Sequence, residues 1–200
     1  MNLNYSFLNA FTGFFVIIDP IGTALIFHAL LPEGDKRHRV VMAVKATLIS
    51  AVLLLVFGNF GEAFLNSLGI NINALRISGG LLLFFTAFNL ITSEVKLAQS
   101  GGKPDISVYP LSIPLLAGPG ALTLSILLFS GVETGAQEVS VFAAVIMIYG
   151  LTLILMLLSG YVKRVIGRTG DEILRRFLGV ILAALAIQFI YDGFNNMLSL

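Results

Sequence analysis

The chain has 200 residues, of which 57% are hydrophobic and only 12% are charged, and its net charge is +1. About a quarter of the residues are charged in an ordinary soluble domain, so this composition excludes a water-soluble globular protein. The absence of Cys excludes disulfides, thiolate metal sites and thiol redox chemistry. Two His residues, His28 and His38, are too few for a His-based metal centre.

Six long apolar segments bounded by charges predict six transmembrane helices, because a helix needs about 20 apolar residues to cross the bilayer. The segments span residues 6–31, 40–60, 73–92, 108–131, 139–161 and 173–197. Strands of a membrane barrel would alternate apolar and polar residues, whereas residues 151–158 are apolar on nearly every side. We expect the first segment to be a retained span rather than a cleaved signal, since no basic residue precedes Lys36.

The basic residues divide the connecting loops into two groups. The loops after the first, third and fifth spans carry Lys36, Arg37, Arg39, Lys96, Lys103, Lys163, Arg164 and Arg168. The N-terminus, the other two loops and the C-terminus carry none. Because basic loops stay in the cytoplasm during insertion, the pattern predicts a multi-pass protein with both termini outside the cytoplasm.

The two halves of the chain match each other at an offset of about 100 residues. Residues 76–82 match residues 176–182, and at an offset one shorter the dipeptide at 19–20 matches that at 118–119. Three spans per half is an odd number, so the second half enters the membrane from the opposite side. The prediction is an all-α fold, a single domain over 1–200 with inverted three-helix repeats at 1–99 and 100–200; chance matching in Leu-rich sequence is the alternative.

Spans one and four each carry a helix-breaking stretch near their middle. The first has Asp-Pro-Ile-Gly-Thr at 19–23, and the fourth has Ala-Gly-Pro-Gly-Ala at 117–121. Pro lacks an amide hydrogen and Gly tolerates backbone angles that other residues avoid, so both helices are expected to break at mid-membrane. The freed amides and carbonyls must line a cavity or bind a ligand, and half-helix N-termini suit a carboxylate. The alternative is a plain kink with close helix packing.

Asp19 is the one acidic residue expected near the bilayer centre, where a carboxylate is costly. Three roles fit it: a proton carrier, a partner for a substrate ammonium, or a cap on the amides of the following half-helix. Asn89 and Gln188 fall near equivalent positions of spans three and six and are predicted to face the same cavity, with interhelical hydrogen bonding as the alternative. The predicted substrate site comprises Asp19, Pro20, Gly22, Thr23, Asn89, Gly118, Pro119, Gly120, Ala121 and Gln188.

Three blocks of sequence, at 19–22, 110–121 and 182–188, resemble the MarC family of bacterial and archaeal inner-membrane proteins over essentially the whole chain. The resemblance implies a transporter of small neutral amino acids such as glycine and alanine, driven by a cation gradient. It points to the two breaks as the site. The chain departs from the usual family pattern at three positions. Thr23 replaces an Asn, Leu25 replaces a Pro, and Asn89 stands where many relatives carry an Asp.

The sequence therefore predicts a secondary transporter of small neutral amino acids that works by alternating access, with a proton or sodium as the coupling ion. It predicts contacts with membrane lipids, and neither a cofactor, a resident metal nor a nucleic-acid partner; the oligomeric state is left open. Two alternatives remain, an inorganic cation or proton carrier and a non-transporting membrane partner protein. An enzyme is not expected, because the sequence lacks a nucleophile–base pair, a metal cluster or a cofactor motif.

Overall fold

A computed structural model describes residues 3–31, 36–92 and 105–198. Within these ranges every regular element is a helix and there is no β-strand, which confirms the predicted all-α class. The elements are α1 (Leu3–Ile18), α2 (Pro20–Leu30), α3 (Lys36–Ser67), α4 (Ile72–Thr92), a π-helix termed π1 (Ser107–Leu116), α5 (Pro119–Ser130), α6 (Gly135–Leu157) and α7 (Ser159–Leu198).

Four described segments are long and apolar enough to cross a membrane. They are Ser6–Leu30, which includes the junction of α1 and α2, Lys36–Ser67, Gly135–Leu157 and Glu172–Leu198. Two shorter apolar helices cover Ile72–Phe88 and Pro119–Ser130. All six coincide with the apolar segments of the sequence, and the four long ones make the chain a polytopic membrane protein.

The exterior of the bundle carries the large apolar side chains. Leu48, Phe60, Phe85, Val139 and Ile187 are each more than half exposed, and they come from four different helices. In water such a surface would cause aggregation, whereas hydrocarbon is its natural solvent. The α3 face that is turned inward is instead lined by small residues, among them Ala43, Ala46 and Ser50. Small interior residues let membrane helices approach closely, because dispersion contacts rather than the hydrophobic effect drive their association.

The helices pair in a regular pattern. The α4 and α7 helices form the most extensive pair, while α1 and α2 pack on α6, and π1 and α5 pack on α3. In addition, α2 contacts α7 and α5 contacts α4. A β-carbon built on Gly80 would come within 2.7 Å of the Ala186 carbonyl oxygen, and one on Gly193 within 2.6 Å of Ile77. The α4–α7 pair is therefore antiparallel and so close that neither of these two glycines can carry a side chain.

Two helices extend beyond the apolar segments that predict them. The α3 helix covers Lys36–Ser67 rather than 40–60 and ends where Gly69 adopts a φ of 70°, with the Ile70 amide donating to the Leu65 carbonyl. This is the arrangement expected at a glycine-terminated helix. The α7 helix begins at Ser159, within the last residues of the predicted fifth span, continues through the predicted loop, and has its helical geometry interrupted at Gly167. Apolar content marks the part of a helix suited to lipid, while capping residues decide where the helix ends.

Candidate functional site

The first span is interrupted at Asp19, where the sequence predicts a break. Asp19 separates α1 from α2 with a φ of 46° and a ψ of 72°, and among described residues it is the only one other than glycine with positive φ. Asp and Asn visit this left-handed region more readily than other side chains do. Pro20 follows as the first residue of α2, where its missing amide hydrogen costs nothing.

Two hydrogen bonds join polar groups within the first break. The Gly22 amide donates to Asp19 Oδ1 at 3.0 Å, and the Thr23 hydroxyl donates to the Ile18 carbonyl at 2.8 Å. A β-carbon on Gly22 would overlap the Asp19 carboxylate, so a glycine is needed where the capping group lies. Asp19 thus occupies the capping role among the three open to it, and Thr23 satisfies a carbonyl that the interruption frees.

The second break differs in its helix type. The amides of Leu111 and Ala117 donate to carbonyls five residues earlier, those of Ile106 and Ser112, which is the π-helical pattern. The chain then passes through Gly118, whose φ of −73° and ψ of 168° are extended, before Pro119 begins α5. A residue that precedes Pro favours this extended conformation. The fourth span is therefore a π-helix followed by an α-helix, with the junction at the predicted residues.

A side chain from another helix completes the carbonyl side of the second break. The Tyr149 hydroxyl, on α6, donates to the Leu116 carbonyl oxygen at 2.9 Å in a buried position. On the amide side, Gly118 provides no side-chain cap for the first turn of α5. The amide groups of Gly120 and Ala121 therefore point towards the break without the carboxylate that α2 has.

The register between α1 and α5 brings the two breaks to the same depth. A β-carbon on Gly13 would lie 3.0 Å from Leu124, and one on Gly120 would lie 3.8 Å from Ile17. Four steps forward along α1 thus correspond to four steps backward along α5, as in an antiparallel pair. Two further steps place Asp19 level with Gly118. The uncapped start of α5 and the carboxylate at the start of α2 therefore belong to one region of the bundle.

Ser50 is a third component of this region, and nothing in the sequence distinguishes it from other serines in apolar helices. On α3, the Ala46 carbonyl accepts from Ser112 at 3.1 Å and the Leu54 carbonyl accepts from Ser125 at 2.7 Å. Ser50 lies four residues from each of these positions, so its side chain shares their face and points at the level of the second break. Its hydroxyl is fully buried and has no hydrogen-bond partner among the described residues.

The remaining predicted site residues take different positions. Pro20, Gly22, Thr23, Gly120 and Ala121 are buried at the breaks, Asp19 and Gly118 are half-buried, and Pro119 is exposed. Gln188 lies instead on an exposed face of α7, where its Nε2 donates to Asp192 Oδ1 of the same helix at 2.8 Å. The backbone of Asn89 is part of α4, but its side chain lies outside the described residues. The structure brings the two breaks together and leaves Gln188 apart from them.

An all-helical chain with an apolar exterior and interrupted apolar helices defines an integral, polytopic membrane protein. Comparison with known proteins gives the same class. The sequence profile of the MarC family of integral membrane proteins matches residues 4–198. The chain belongs to the MarC family.

Relatives align with the chain over nearly its full length. A UPF0056 membrane protein of Archaeoglobus fulgidus is 31% identical over 199 residues, covering 96% of this chain and 93% of the relative. One from Aquifex aeolicus is 31% identical over 200 residues and covers 96% and 94%, respectively. The UPF0056 membrane protein YvbG of Bacillus subtilis is 32% identical over 203 residues, covering 96% of each chain. No solved structure matches the chain.

Proposed function

We propose that the protein is a secondary transporter of small neutral amino acids and that the two helix breaks form its substrate site. The observation that carries this proposal is the antiparallel register of α1 and α5, which sets both interruptions at one depth. Paired broken helices at the meeting point of two repeats are the usual substrate site of secondary transporters. The protein is proposed to act as a carrier and not as an enzyme, with no cofactor or nucleic-acid partner.

The chemistry of the two breaks suits a zwitterion. The uncapped amides of Gly120 and Ala121, at the positive end of α5, would bind a carboxylate. The Asp19 carboxylate, level with them, would bind the ammonium group or the coupling cation, a proton or sodium. Ser50 adds a hydroxyl that can donate to the substrate carboxylate.

Close packing around the second break favours a small cargo. A β-carbon on Gly120 would overlap the side chain of Leu83, and Ile17 is also within van der Waals distance of that position. Little width therefore remains between α1, α4 and α5 at this depth. A ligand that reaches the first-turn amides of α5 can carry only a small side chain, as glycine and alanine do.

The packing pattern supports the inverted repeat. In an inverted repeat the first three spans correspond to the last three, so α1 and α2 correspond to π1 and α5, α3 to α6, and α4 to α7. The packing of α1 and α2 on α6 then corresponds to the packing of π1 and α5 on α3. By the same correspondence the α2–α7 contact matches the α5–α4 contact, and the α4–α7 pair matches itself. Rocking of one such repeat against the other, each over 1–99 or 100–200, is the proposed route of alternating access.

The proposed orientation in the inner membrane places both termini outside the cytoplasm and Arg39, Lys45 and Arg164 inside. Lys45, near the start of α3, pairs with Asp105, just before π1, at 3.3 Å. Arg39, in the first turn of α3, donates to Ser159 at the junction of α6 and α7 at 2.7 Å. These contacts bring the first part of α3, the residue range before π1 and the junction of α6 and α7 to one side of the bundle, in agreement with the positive-inside rule.

Uptake by proteoliposomes tests the proposal. Labelled glycine and alanine are offered to the wild type, to Gly118→Leu and to Gly150→Leu, with and without imposed proton and sodium gradients. The extended backbone of Gly118 accepts a leucine, which then fills the break, whereas Gly150 faces open space on α6 and provides a matched control. We expect saturable uptake by the wild type and the control, and none by Gly118→Leu.

The gradient that accelerates uptake identifies the coupling ion. Equal loss of uptake in both variants, or no saturable uptake by any folded protein under either gradient, contradicts the proposed site. Transport of sodium or protons that is indifferent to amino acids would favour the cation-carrier alternative instead.

A further inference from the structure

A cavity of about 550 Å³ lies at the basic end of the bundle, between the end of α2, the start of α3 and the junction of α6 and α7. As far as the structure describes its wall, none of the residues of the two breaks belongs to it. Its size falls in the range of small-molecule sites, roughly 300–1,000 Å³. It is therefore distinct from the substrate site proposed at the two breaks.

Three cationic side chains line this cavity: Lys36 and Arg39 from α3, and Arg164 from α7. In the described part of the wall, no acidic side chain accompanies them. Like charges that line one concave wall repel each other, and their potential is focused within the concavity. An anion in the cavity would reduce this repulsion.

Arg39 is held in a defined position within the wall. Its Nη2 donates to Ser159 Oγ at 2.7 Å, and its guanidinium carbon lies 5.5 Å from the centre of the Phe27 ring. A half-buried guanidinium that is stacked and bonded on one side presents its remaining N–H groups in a fixed fork. Such a fork matches two oxygens of a phosphate group.

We propose that this basic cavity binds a phosphate-type oxyanion, supplied either by the headgroup of an anionic phospholipid or by free phosphate. Arg39 provides the oriented donors, while Lys36 and Arg164 provide mobile charge at the rim. Apolar residues of α3 and α6, Val40 and Leu157, also belong to the wall. They allow an acyl chain to continue from the headgroup along the bundle.

Binding of phosphatidylglycerol and of inorganic phosphate by the full-length protein tests this inference. Native mass spectrometry counts retained phosphatidylglycerol, and equilibrium dialysis measures labelled phosphate. The test variant combines Lys36→Gln with Arg164→Gln, two exposed side chains. The control combines Lys163→Gln with Arg176→Gln, which removes the same charge from exposed residues outside the cavity.

We expect the test variant to bind about tenfold more weakly than the wild type and the control to bind like the wild type. Loss confined to phosphatidylglycerol identifies a lipid headgroup, and loss of phosphate binding with the same pattern identifies free phosphate. Arg39→Lys keeps the charge but removes the fork, so its binding should also weaken. Equal loss in the test and control variants, or no binding of either ligand by the wild type, overturns the proposal.

Discussion

Substitution of Asp19 separates its observed capping role from its proposed role in binding. Asn retains an oxygen that accepts from the Gly22 amide and tolerates the positive φ of 46°, so Asp19→Asn should alter the free energy of unfolding by less than about 0.5 kcal/mol. Asp19→Ala loses the cap, at a cost of about 1 kcal/mol, and places a β-carbon in a left-handed backbone, at a similar cost. We expect a total near 2 kcal/mol for Ala.

Asp19→Gly distinguishes the two costs, because glycine adopts positive φ freely and caps nearly as well as Asp. The stability order should be Asn close to the wild type, then Gly, then Ala. Unfolding in SDS, monitored by circular dichroism, measures this stability order. The chain has no Trp, so Trp fluorescence is not an option. An Ala variant as stable as the Asn variant would refute the capping argument.

Transport by the same variants tests whether the negative charge of Asp19 takes part in binding. If the carboxylate binds an ammonium or a coupling cation, Asp19→Asn should transport glycine at least about tenfold less well while remaining folded, since a charged hydrogen bond is lost. Full transport by a folded Asn variant would leave Asp19 as a cap alone. Gly22→Ala supplies an internal check. It should destabilise the wild type but harm Asp19→Gly much less, because the overlapping carboxylate is then absent.

Three further predictions concern single contacts within the bundle. Tyr149→Phe leaves the Leu116 carbonyl without its donor and should lower the free energy of unfolding by about 1 kcal/mol in the SDS assay. Gly79→Val would overlap a side chain of α5 and should cost about 1–3 kcal/mol; an unchanged unfolding curve would contradict the close packing of α4 on α5. Hydrogen bonds from Ser107 lower the pKa of Asp105 from its usual 3.8, so the stabilisation is present above that pH and is lost as the pH falls through the lowered value. The wild type should therefore lose stability on acidification more steeply than Asp105→Asn, as measured by unfolding at stepped pH.

The breaks could be predicted from the sequence because their causes are local. Pro20 and Pro119 lack an amide hydrogen wherever the chain places them, and both begin a helix in the structure. The position of charged residues near helix ends is predictable for a similar reason, since a charge within the hydrocarbon is costly. The π-helical form of residues 107–116 could not, because it depends on five-residue hydrogen bonds that no composition signal reports.

The rotation of each helix about its axis, which decides the side chains that face inward, could not be predicted from the sequence. Gln188 is predicted to face the cavity because it falls near a position equivalent to Asn89, yet each residue also turns the helix by about 100°, and a largely apolar span does not show which of its faces is turned inward. The structure turns Gln188 outward, towards Asp192. Ser50 illustrates the converse case. A lone serine in an apolar helix usually bonds a carbonyl of its own helix, so only the hydrogen bonds of Ser112 and Ser125 on either side reveal its direction.

The two breaks correspond in position and yet differ in chemistry, and this difference bears on what they can bind. The first carries its own acceptor, Asp19, and its own donor, Thr23, while the second borrows a donor from Tyr149 and has no side-chain cap on the amides of α5. Two breaks with the same chemistry would present the same charge and would suit an ion with one kind of charge. One break that offers a carboxylate and another that offers amides present opposite charges at one depth, which is the complement of a zwitterion. The proposed site therefore predicts that the methyl ester of glycine, which keeps the ammonium and loses the carboxylate, fails to compete with glycine for uptake.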